Sequence, residues 1–286
     1  MANALIIANI NCDQVLHLSR PLQSGARIHY EEQGDRLGGG GVNTGLGLIW
    51  AGHQVTLLSQ VGSDHRGDWL LQQAQQLGFH CQWIHRHIGA TQPLQLLMEP
   101  NGERTILRPN RPRLLLPPDL NTQEFDVLYV NLSAEGLPQL MQQAMTHQAL
   151  VVAQLPKDLG LRPCHYLLTS EDDLQQHQQQ DPWAFACQIA GSQLRAFVVT
   201  NGAQGARYYD GEQEHHIPAI PATMVDSTGA GDCYAGGLIH GLLQGLSLTE
   251  AMTHAAQWAA FAISVASSLP PTILKHALRD SDFPQA

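Results

Sequence analysis

Residues 226–232 combine a glycine-rich turn with a carboxylate, the two kinds of group that a phosphoryl transfer needs. The turn reads Asp-Ser-Thr-Gly-Ala-Gly-Asp, and an apolar pattern typical of a helix follows at residues 234–246. Backbone N–H groups at a helix start can hold an anion, so the sequence predicts an anion site at residues 229–231. Asp232 lies beside that site and could accept the proton of an attacking hydroxyl.

Two polar motifs earlier in the chain could bind a polyhydroxyl ligand. Four consecutive glycines at residues 38–41 would let the backbone approach a ligand, and Asn43 behind them can donate and accept hydrogen bonds. A flexible hinge is the alternative interpretation of this run. Asn11 and Asp13 follow the first apolar strand, at the end where ligand sites of α/β proteins open. An Asx turn explains this pair equally well.

Two motifs after later strands could bind a nucleotide and its metal. Residues 198–205 run from an apolar strand into a glycine-rich turn, which could wrap a phosphate or be a plain β-turn. Residues 170–173, Ser-Glu-Asp-Asp, cluster three acids that could organise hydrated Mg²⁺. Serine and acidic residues are also common at an ordinary helix N-terminus, so that structural interpretation stays open.

Apolar periodicity predicts the scaffold that positions these motifs. Short apolar runs, typical of strands buried on both faces, occur at residues 4–8, 127–130, 150–153, 166–169 and 197–200, and residues 54–61 are predicted as a further strand. Helical spacing between them, as at residues 43–51 and 69–77, predicts a mostly parallel sheet covered on both faces. Alternating segments near residues 14–37 and a hairpin within residues 90–108 predict short exposed strands.

The charge and composition of the chain limit the classes of partner. The 286 residues carry a formal net charge of −10, which argues against a nucleic acid or an anionic membrane. No apolar run approaches about 20 residues, so a membrane-spanning helix is not expected. Five widely spaced cysteines and the lack of a signal-peptide pattern favour a cytoplasmic enzyme with reduced thiols.

Taken together and in this order, the motifs resemble one family. Residues 226–232 match the D-[TS]-x-G-A-G-D signature of the ribokinase-like (PfkB) carbohydrate kinases, and Asn11-x-Asp13 is similar to the substrate motif of ribokinase. The N-terminal Gly-Gly-x-Gly-x-Asn signature of the family is matched by Gly38, Gly39, Gly41 and Asn43. The resemblance spans nearly the whole chain. It implies one three-layer α/β/α domain over residues 1–286, with a small β lid formed by residues 14–37 and 90–108.

The resemblance also implies an activity and a role for each motif. The activity is phosphoryl transfer from MgATP to a sugar-like hydroxyl, with Asp232 as general base and an anion hole formed by the amides of Gly229, Ala230 and Gly231. The sugar would contact Asn11, Asp13, Gly39, Gly40, Gly41, Asn43 and Asp232. ATP would contact Ser170, Thr200, Gly202, Ala203, Gly205 and Gly231. Mg²⁺ would be held through water by Glu171 and Asp173.

Some positions depart from the pattern of ribokinase and bear on the substrate. Gly40 stands where ribokinase has a lysine in the sugar pocket, and Ser133 aligns with its sugar-contacting glutamate. Ser170 and Asp173 have shorter side chains than the Asn and Glu of the N-x-x-E motif. Residues 265–268 replace the Arg-x-Gly-Ala turn of the cation site, which gives no support to K⁺ activation. The sequence therefore predicts a kinase and leaves its acceptor open.

The sequence is also compatible with two alternative functions and with a homodimer. A nucleoside kinase of the same superfamily would need aromatic side chains to stack a base, and only His17, His29 and Tyr30 lie near the lid strands. A non-catalytic sugar or nucleotide sensor would be expected to lose Asp232 or the glycines before it, and both are present. Exposed edges of the lid strands could pair two subunits into a homodimer.

Overall fold

The computed structural model describes residues 1–177, 181–267 and 269–279, and it contains two separate β-sheets. The strands are, in chain order, β1 (Asn3–Ile7), β2 (Asn11–Leu18), β3 (Tyr30–Gly38), β4 (Gln54–Gly62), β5 (His80–His87), β6 (Leu94–Met98), β7 (Arg104–Leu107), β8 (Val127–Val130), β9 (Leu150–Gln154), β10 (Tyr166–Ser170), β11 (Ala196–Thr200), β12 (Ala206–Tyr209) and β13 (Glu214–Ile217). The helices are α1 (Gly40–Trp50), α2 (His65–Gln76), α3 (Leu137–Thr146), α4 (Glu171–Gln175), α5 (Pro182–Ala190), α6 (Ala230–Leu243), α7 (Leu248–Ile263) and α8 (Thr272–Arg279).

The large sheet has nine strands in the order β13-β12-β11-β10-β9-β8-β1-β4-β5. Neighbouring strands from β11 to β5 in this order are parallel, and β12 and β13 run antiparallel to their neighbours. Side chains of β1 alternate between two buried clusters. Ile6 belongs to the cluster formed with α1, α6 and α7, and Ile7 to the one formed with α3 and α5. Helices therefore cover both faces of the sheet, which confirms the predicted three-layer α/β/α fold.

The small sheet has the order β3-β2-β6-β7 and is formed by the alternating segments of the sequence. Strand β2 pairs antiparallel with β3 and parallel with β6, and β6 pairs antiparallel with β7. The strands fall in the two predicted lid segments, but β2 begins at Asn11 rather than near residue 14. Asn11 and Asp13 therefore lie on a strand and not in an Asx turn. A homodimer through the edge strands β3 and β7 stays a prediction, as does the single domain over residues 1–286.

Helix α1 begins inside the glycine run, so this run is a helix start and not a hinge. Gly39 precedes the helix with a φ of 99°, a conformation that favours glycine. A Cβ atom on Gly39 would also lie 2.4 Å from the carbonyl oxygen of Asn9. Helix α2 likewise begins earlier than predicted, because the Asp64 carboxylate accepts a hydrogen bond from the Gly67 N–H and caps its first turn.

Helices α1 and α6 pack in close contact because glycines lie at their crossing. A Cβ atom on Gly236 of α6 would lie 2.9 Å from the carbonyl oxygen of Thr44 in α1. Trp258 of α7 is fully buried beside this crossing, and a Cβ atom on Gly47 would lie 2.4 Å from its ring. The close approach brings the N-terminal part of α1 against the first turn of α6.

We predict that Gly236→Ala lowers the free energy of unfolding by about 1–3 kcal/mol, because the added methyl group forces Thr44 and α1 away from α6. Urea denaturation followed by circular dichroism measures this change. Gly160→Ala is the matched control, since Gly160 is exposed and its nearest neighbour is the flexible Asp158 side chain at 3.3 Å. Equal stability of Gly236→Ala and the parent protein would contradict the close contact.

Two other expectations from the sequence concern a membrane and K⁺. Within the described ranges, the structure contains no helix of the length and apolar character that a bilayer crossing requires. Ser268, which ends the segment that replaces the Arg-x-Gly-Ala turn, lies outside the described residues. The absence of K⁺ activation therefore stays a prediction.

Candidate active site

Asp232 lies in the first turn of α6, where its carboxylate meets two amide side chains. Asn43 Nδ2 lies 3.4 Å from one carboxylate oxygen, and Asn131 Nδ2 lies 3.4 Å from the other. The Thr44 hydroxyl donates a hydrogen bond of 3.1 Å to the backbone carbonyl of Asp232. The carboxylate is thus held from both sides, and its remaining lone pairs are available to a ligand.

Burial raises the pKa of the Asp232 carboxyl to about 6, and the Asn43 amide and the positive charge of Arg108 oppose this rise. A carboxylate with such a pKa is mostly ionised at neutral pH, yet it holds a proton more readily than an exposed aspartate does. Both properties suit a group that accepts a proton during a reaction at pH 7.

We predict that Asp232→Asn is more stable than the parent protein at pH 8, by about 1–3 kcal/mol. The pKa of Asp232 is higher in the folded state than in the unfolded state, so ionisation destabilises the fold as the pH rises from about 4 through 6. Below pH 4 both states are protonated, and the advantage of the asparagine variant should vanish.

Urea denaturation at pH 3 and pH 8 measures the two differences. Asp119→Asn is the control, because Asp119 is exposed in a loop and its replacement should give no pH-dependent gain. A variant Asp232→Asn that is no more stable than the parent at pH 8 would show that the folded protein does not penalise this charge.

Asn131 was not among the predicted site residues, although it follows directly on the buried strand β8. Its side chain occupies the space next to Gly40, where a Cβ atom would lie 2.9 Å from Asn131 Nδ2 and 2.9 Å from an Asp232 carboxylate oxygen. Packing therefore explains why position 40 is a glycine here and not the lysine of ribokinase, because a side chain would collide with Asn131 and Asp232. A polar residue at the carboxyl end of a strand next to β1 was the available signal for Asn131.

The predicted substrate residues Asn11 and Asp13 lie together at the start of β2. Asp13 is buried, and its Oδ1 atom has no hydrogen-bond partner among the described residues. Burial raises its pKa to about 6, against the opposing positive charges of Arg111, Arg104 and Arg36. A Cβ atom on Gly38 would lie 2.1 Å from the Asp13 carboxylate, so this position in the glycine run makes room for the acid.

The remaining predicted glycines of the substrate motif stand next to Asn11 and Asn43. Gly39 precedes α1, and Gly40 and Gly41 form its first turn, with the Gly41 N–H donating to the Asn9 carbonyl at 3.0 Å. Asn11 accepts a hydrogen bond of 2.6 Å from Arg111 Nη1, a residue that sequence reasoning did not select. The structure thus brings both parts of the predicted substrate motif to the same edge of the fold as Asp232.

The glycine-rich turn before α6 is fixed by Asp226. Its Oδ1 atom accepts hydrogen bonds from the Thr228 N–H at 2.8 Å and the Thr228 hydroxyl at 2.5 Å. Arg104 of β7 also donates to this atom at 2.9 Å, so an ion pair joins the small sheet to the turn. No local pattern predicts this pair, since its members are 122 positions apart.

The amides predicted to form the anion hole lie at the start of α6. Gly229 precedes the helix with a φ of 74°, and a Cβ atom on it would lie 2.9 Å from Asn43 Nδ2. The Ala230 N–H donates to the Ser227 carbonyl in a long bond of 3.3 Å. A Cβ atom on Gly231 would have no neighbour within 4 Å, so the space beside this residue is open.

The predicted nucleotide residues lie at the carboxyl ends of β10 and β11, on the same sheet edge. Ser170 pairs in register with Thr200, whose hydroxyl donates to the Thr169 carbonyl at 3.3 Å. A short 3₁₀ turn at Gly202–Gln204, which includes Ala203, follows Thr200. Gly205 ends this turn with a φ of 87°, and a Cβ atom on it would lie 2.2 Å from the Ile217 carbonyl oxygen.

Of the two acids predicted to hold Mg²⁺, Glu171 has a structural partner. The Ser170 hydroxyl caps α4 by accepting from the Asp173 N–H at 3.1 Å, and the Glu171 carboxylate forms an ion pair with Arg207. Asp173 is exposed. The described residues contain no group of three or more His, Cys, Asp and Glu side chains that could hold a metal ion. Glu171 and Asp173 are too few to hold a bare metal ion. They fit a metal ion that is already bound by phosphate oxygens and water.

The candidates for stacking a base lie away from these groups. In the β2–β3 pair, Asn11 is opposite Gly38 at one end, and Leu18 is opposite Tyr30 at the other. His17 is six residues along β2 from Asn11, which corresponds to about 20 Å of extended strand. His17, His29 and Tyr30 are all exposed. None of these three side chains is therefore placed beside the polar motifs.

Comparison with known proteins identifies the family. Residues 4–273 match the pfkB family of carbohydrate kinases. The chain belongs to this family. It is a carbohydrate kinase, a phosphotransferase that uses an alcohol group as acceptor and depends on ATP.

The two ribokinases below have low sequence identity to this carbohydrate kinase over most of the chain, and an inositol kinase has higher identity over a short stretch. The ribokinase of Lactococcus lactis subsp. lactis is 24% identical over 268 residues, which cover 88% of this chain and 87% of the relative. An inositol 3-kinase of Arabidopsis thaliana is 48% identical over 58 residues, 20% of this chain and 16% of that protein. The crystal structure of a ribokinase from Thermotoga maritima shares the fold, with a TM-score of 0.76 and 17% identity over 98% of this chain and 100% of that chain.

Proposed function

We propose that this carbohydrate kinase transfers the γ-phosphoryl group of MgATP to a hydroxyl of a sugar-like acceptor, with Asp232 as the general base. The observation that carries the proposal is the Asp232 carboxylate, which is held between Asn43 and Asn131 at the start of α6 with a pKa of about 6. The acceptor oxygen attacks the γ-phosphorus, its proton moves to Asp232, and the bond to the departing ADP oxygen breaks.

The turn at residues 226–231 supplies positive partial charge where the transferring group develops negative charge. In this role the amides of Gly229 and Gly231 donate directly, and the open space beside Gly231 leaves room for a phosphoryl group. The Ala230 amide joins them when its long bond to Ser227 gives way. Asp226 keeps the turn in this conformation through Thr228 and Arg104.

The acceptor lies between α1 and the small sheet in this proposal. Asn11, Asp13 and Asn43, together with the backbone of Gly39, Gly40 and Gly41, supply hydrogen-bonding groups for its hydroxyls. The unpaired Oδ1 atom of Asp13 supports this assignment, because a buried acceptor without a partner is costly unless a ligand donates to it. The small sheet then covers the acceptor and limits access of water to the phosphoryl group.

ATP lies at the carboxyl ends of β10 and β11 in this proposal, on Ser170, Thr200, Gly202, Ala203, Gly205 and Gly231. Mg²⁺ would be held by the ATP phosphates and, through water, by Glu171 and Asp173. When bound, it would neutralise charge on the phosphates. Because Glu171 is also paired with Arg207, the contribution of this chain to metal binding is a small one.

We expect Asp232→Asn and Asp232→Ala to lose phosphoryl transfer by at least about 10³-fold, since the acceptor hydroxyl then has no group to take its proton. ADP release from MgATP is measured with a panel of sugars, polyols and nucleosides. Circular dichroism checks that the variants are folded, and Asp119→Asn serves as the exposed control. Near-normal turnover in either Asp232 variant would overturn the assignment of the base. Ligand binding without turnover in the parent protein would favour a sensor.

We expect Arg104→Gln to lower kcat by about tenfold, because loss of the ion pair with Asp226 loosens the turn that holds the phosphoryl group. Arg104→Lys should restore part of this rate, because the lysine keeps the charge. Arg113→Gln is the control, because Arg113 is an exposed arginine nine positions further along the chain. A kcat of Arg104→Gln equal to that of the parent would contradict a positioning role for Arg104.

A further inference from the structure

A closed chain of hydrogen bonds surrounds Asn131 at the carboxyl edge of the large sheet. Gln154, which ends β9, donates from its side chain to the Tyr129 hydroxyl at 3.1 Å. The backbone carbonyl of Gln154 accepts a bond of 3.4 Å from Arg162 Nη1, and Arg162 Nη2 donates to the Ser133 hydroxyl at 3.0 Å. Tyr129 and Ser133 stand two positions before and two positions after Asn131, so the chain of bonds closes around this residue.

Tyr129 is the most deeply buried side chain of this group. It is 1% exposed and belongs to the core cluster formed with α1, α6 and α7. The Asn131 N–H continues the pairing of β8 with β1, because it donates to the Ile7 carbonyl at 2.9 Å. Alternate residues of a strand point to the same face, so Tyr129 and Asn131 both point toward α6, whose first turn carries Asp232.

The Tyr129 hydroxyl lies among the residues that hold the proposed base. Burial raises the pKa of this phenol above its ordinary value, and the charge of Asp232 adds to the rise. Gln154, Thr44 and Asn131, whose polar side chains approach the hydroxyl, oppose it. Thr44 bonds in turn to the backbone carbonyl of Asp232, and Asn131 to its carboxylate. A phenol with a raised pKa stays protonated at neutral pH, so Tyr129 acts there through hydrogen bonds and not as a second base.

The donors and acceptors of this group favour one orientation of the Asn131 amide. Gln154 occupies a lone pair of the Tyr129 oxygen and leaves the Tyr129 O–H to donate. With Asn131 Nδ2 turned to the Asp232 carboxylate at 3.4 Å, Asn131 Oδ1 is an acceptor available to that O–H. An amide turned the other way would place its oxygen against a carboxylate oxygen, and two acceptors do not bond. Tyr129 therefore favours the orientation that stabilises the ionised carboxylate.

We propose that Tyr129 is a positioning residue of this kinase, because it keeps the Asn131 amide turned toward Asp232 while Gln154 keeps the Tyr129 hydroxyl in place. The inference rests on the proposed function of Asp232 and adds a group that prepares this carboxylate for the reaction. The action of Tyr129 is indirect. It should therefore disappear when residue 131 has no amide.

Tyr129→Phe removes one oxygen atom and keeps the buried ring, and circular dichroism checks that the variant is folded. With the best acceptor of the panel, we expect kcat to fall by about three- to tenfold and the KM for ATP to change by less than about twofold. The acidic limb of the kcat–pH profile should move upward by about half a pH unit, because a carboxylate that loses a donor has a higher pKa. Tyr166→Phe is the matched control, since Tyr166 is a buried tyrosine of the same cluster two strands away from β8. It should change neither kcat nor the pH profile.

Asn131→Ala separates an action through the amide from a general loss of packing. In the Asn131→Ala background, we expect Tyr129→Phe to lower kcat by less than about twofold and to leave the acidic limb in place. An equal fall of kcat in both backgrounds would overturn the inference. A Tyr129→Phe variant that keeps the parental kcat and pH profile, or that raises only a KM, would do the same. The kinase proposal stands in each of these cases.

If no acceptor is phosphorylated, the kinase proposal fails and the inference is decided by the titration of the carboxylate itself. NMR of protein labelled with ¹³C at the aspartate carboxyls measures the pKa of Asp232, and the signal missing from Asp232→Asn identifies this group. A pKa that is higher by about half a unit in Tyr129→Phe and unchanged in Tyr166→Phe would support the positioning role. An equal pKa of Asp232 in the parent protein and in Tyr129→Phe would overturn it.

Discussion

The structure depends on one constraint, which is that a carboxylate must stay ionised in a place that has lost much of its water. Burial raises the pKa of Asp232 to about 6, and the Asn43 amide and the charge of Arg108 limit this rise. Asn131 holds the other carboxylate oxygen. Asn43 reaches the carboxylate because α1 and α6 cross at glycines, and Asn131 reaches it because no side chain stands at Gly40. Close backbone packing is therefore the physical basis of the proposed base.

Two arginines, one on β7 and one in the segment after it, bond to the polar motifs. Arg104 bonds to Asp226 in the turn before α6, and Arg111 bonds to Asn11 next to the glycine run. A movement of the small sheet would consequently disturb both the anion-binding turn and the acceptor motif. Under the proposed function, covering the acceptor and arranging the turn would therefore be parts of one conformational change, which would tie exclusion of water to assembly of the reacting groups.

Periodicity and motif order were sufficient to predict the layers of the fold, because buried parallel strands are continuous apolar runs and the glycine motifs stand where they end. They failed where a role depends on a distant partner. Asn131, Arg104 and Arg111 each act on a residue about one hundred positions away, and nothing local distinguishes them. The helical start at Gly40 was missed because a glycine run resembles a hinge until the carbonyl of Asn9 is seen to exclude a side chain. Net charge over the whole chain likewise concealed the local concentration of arginines.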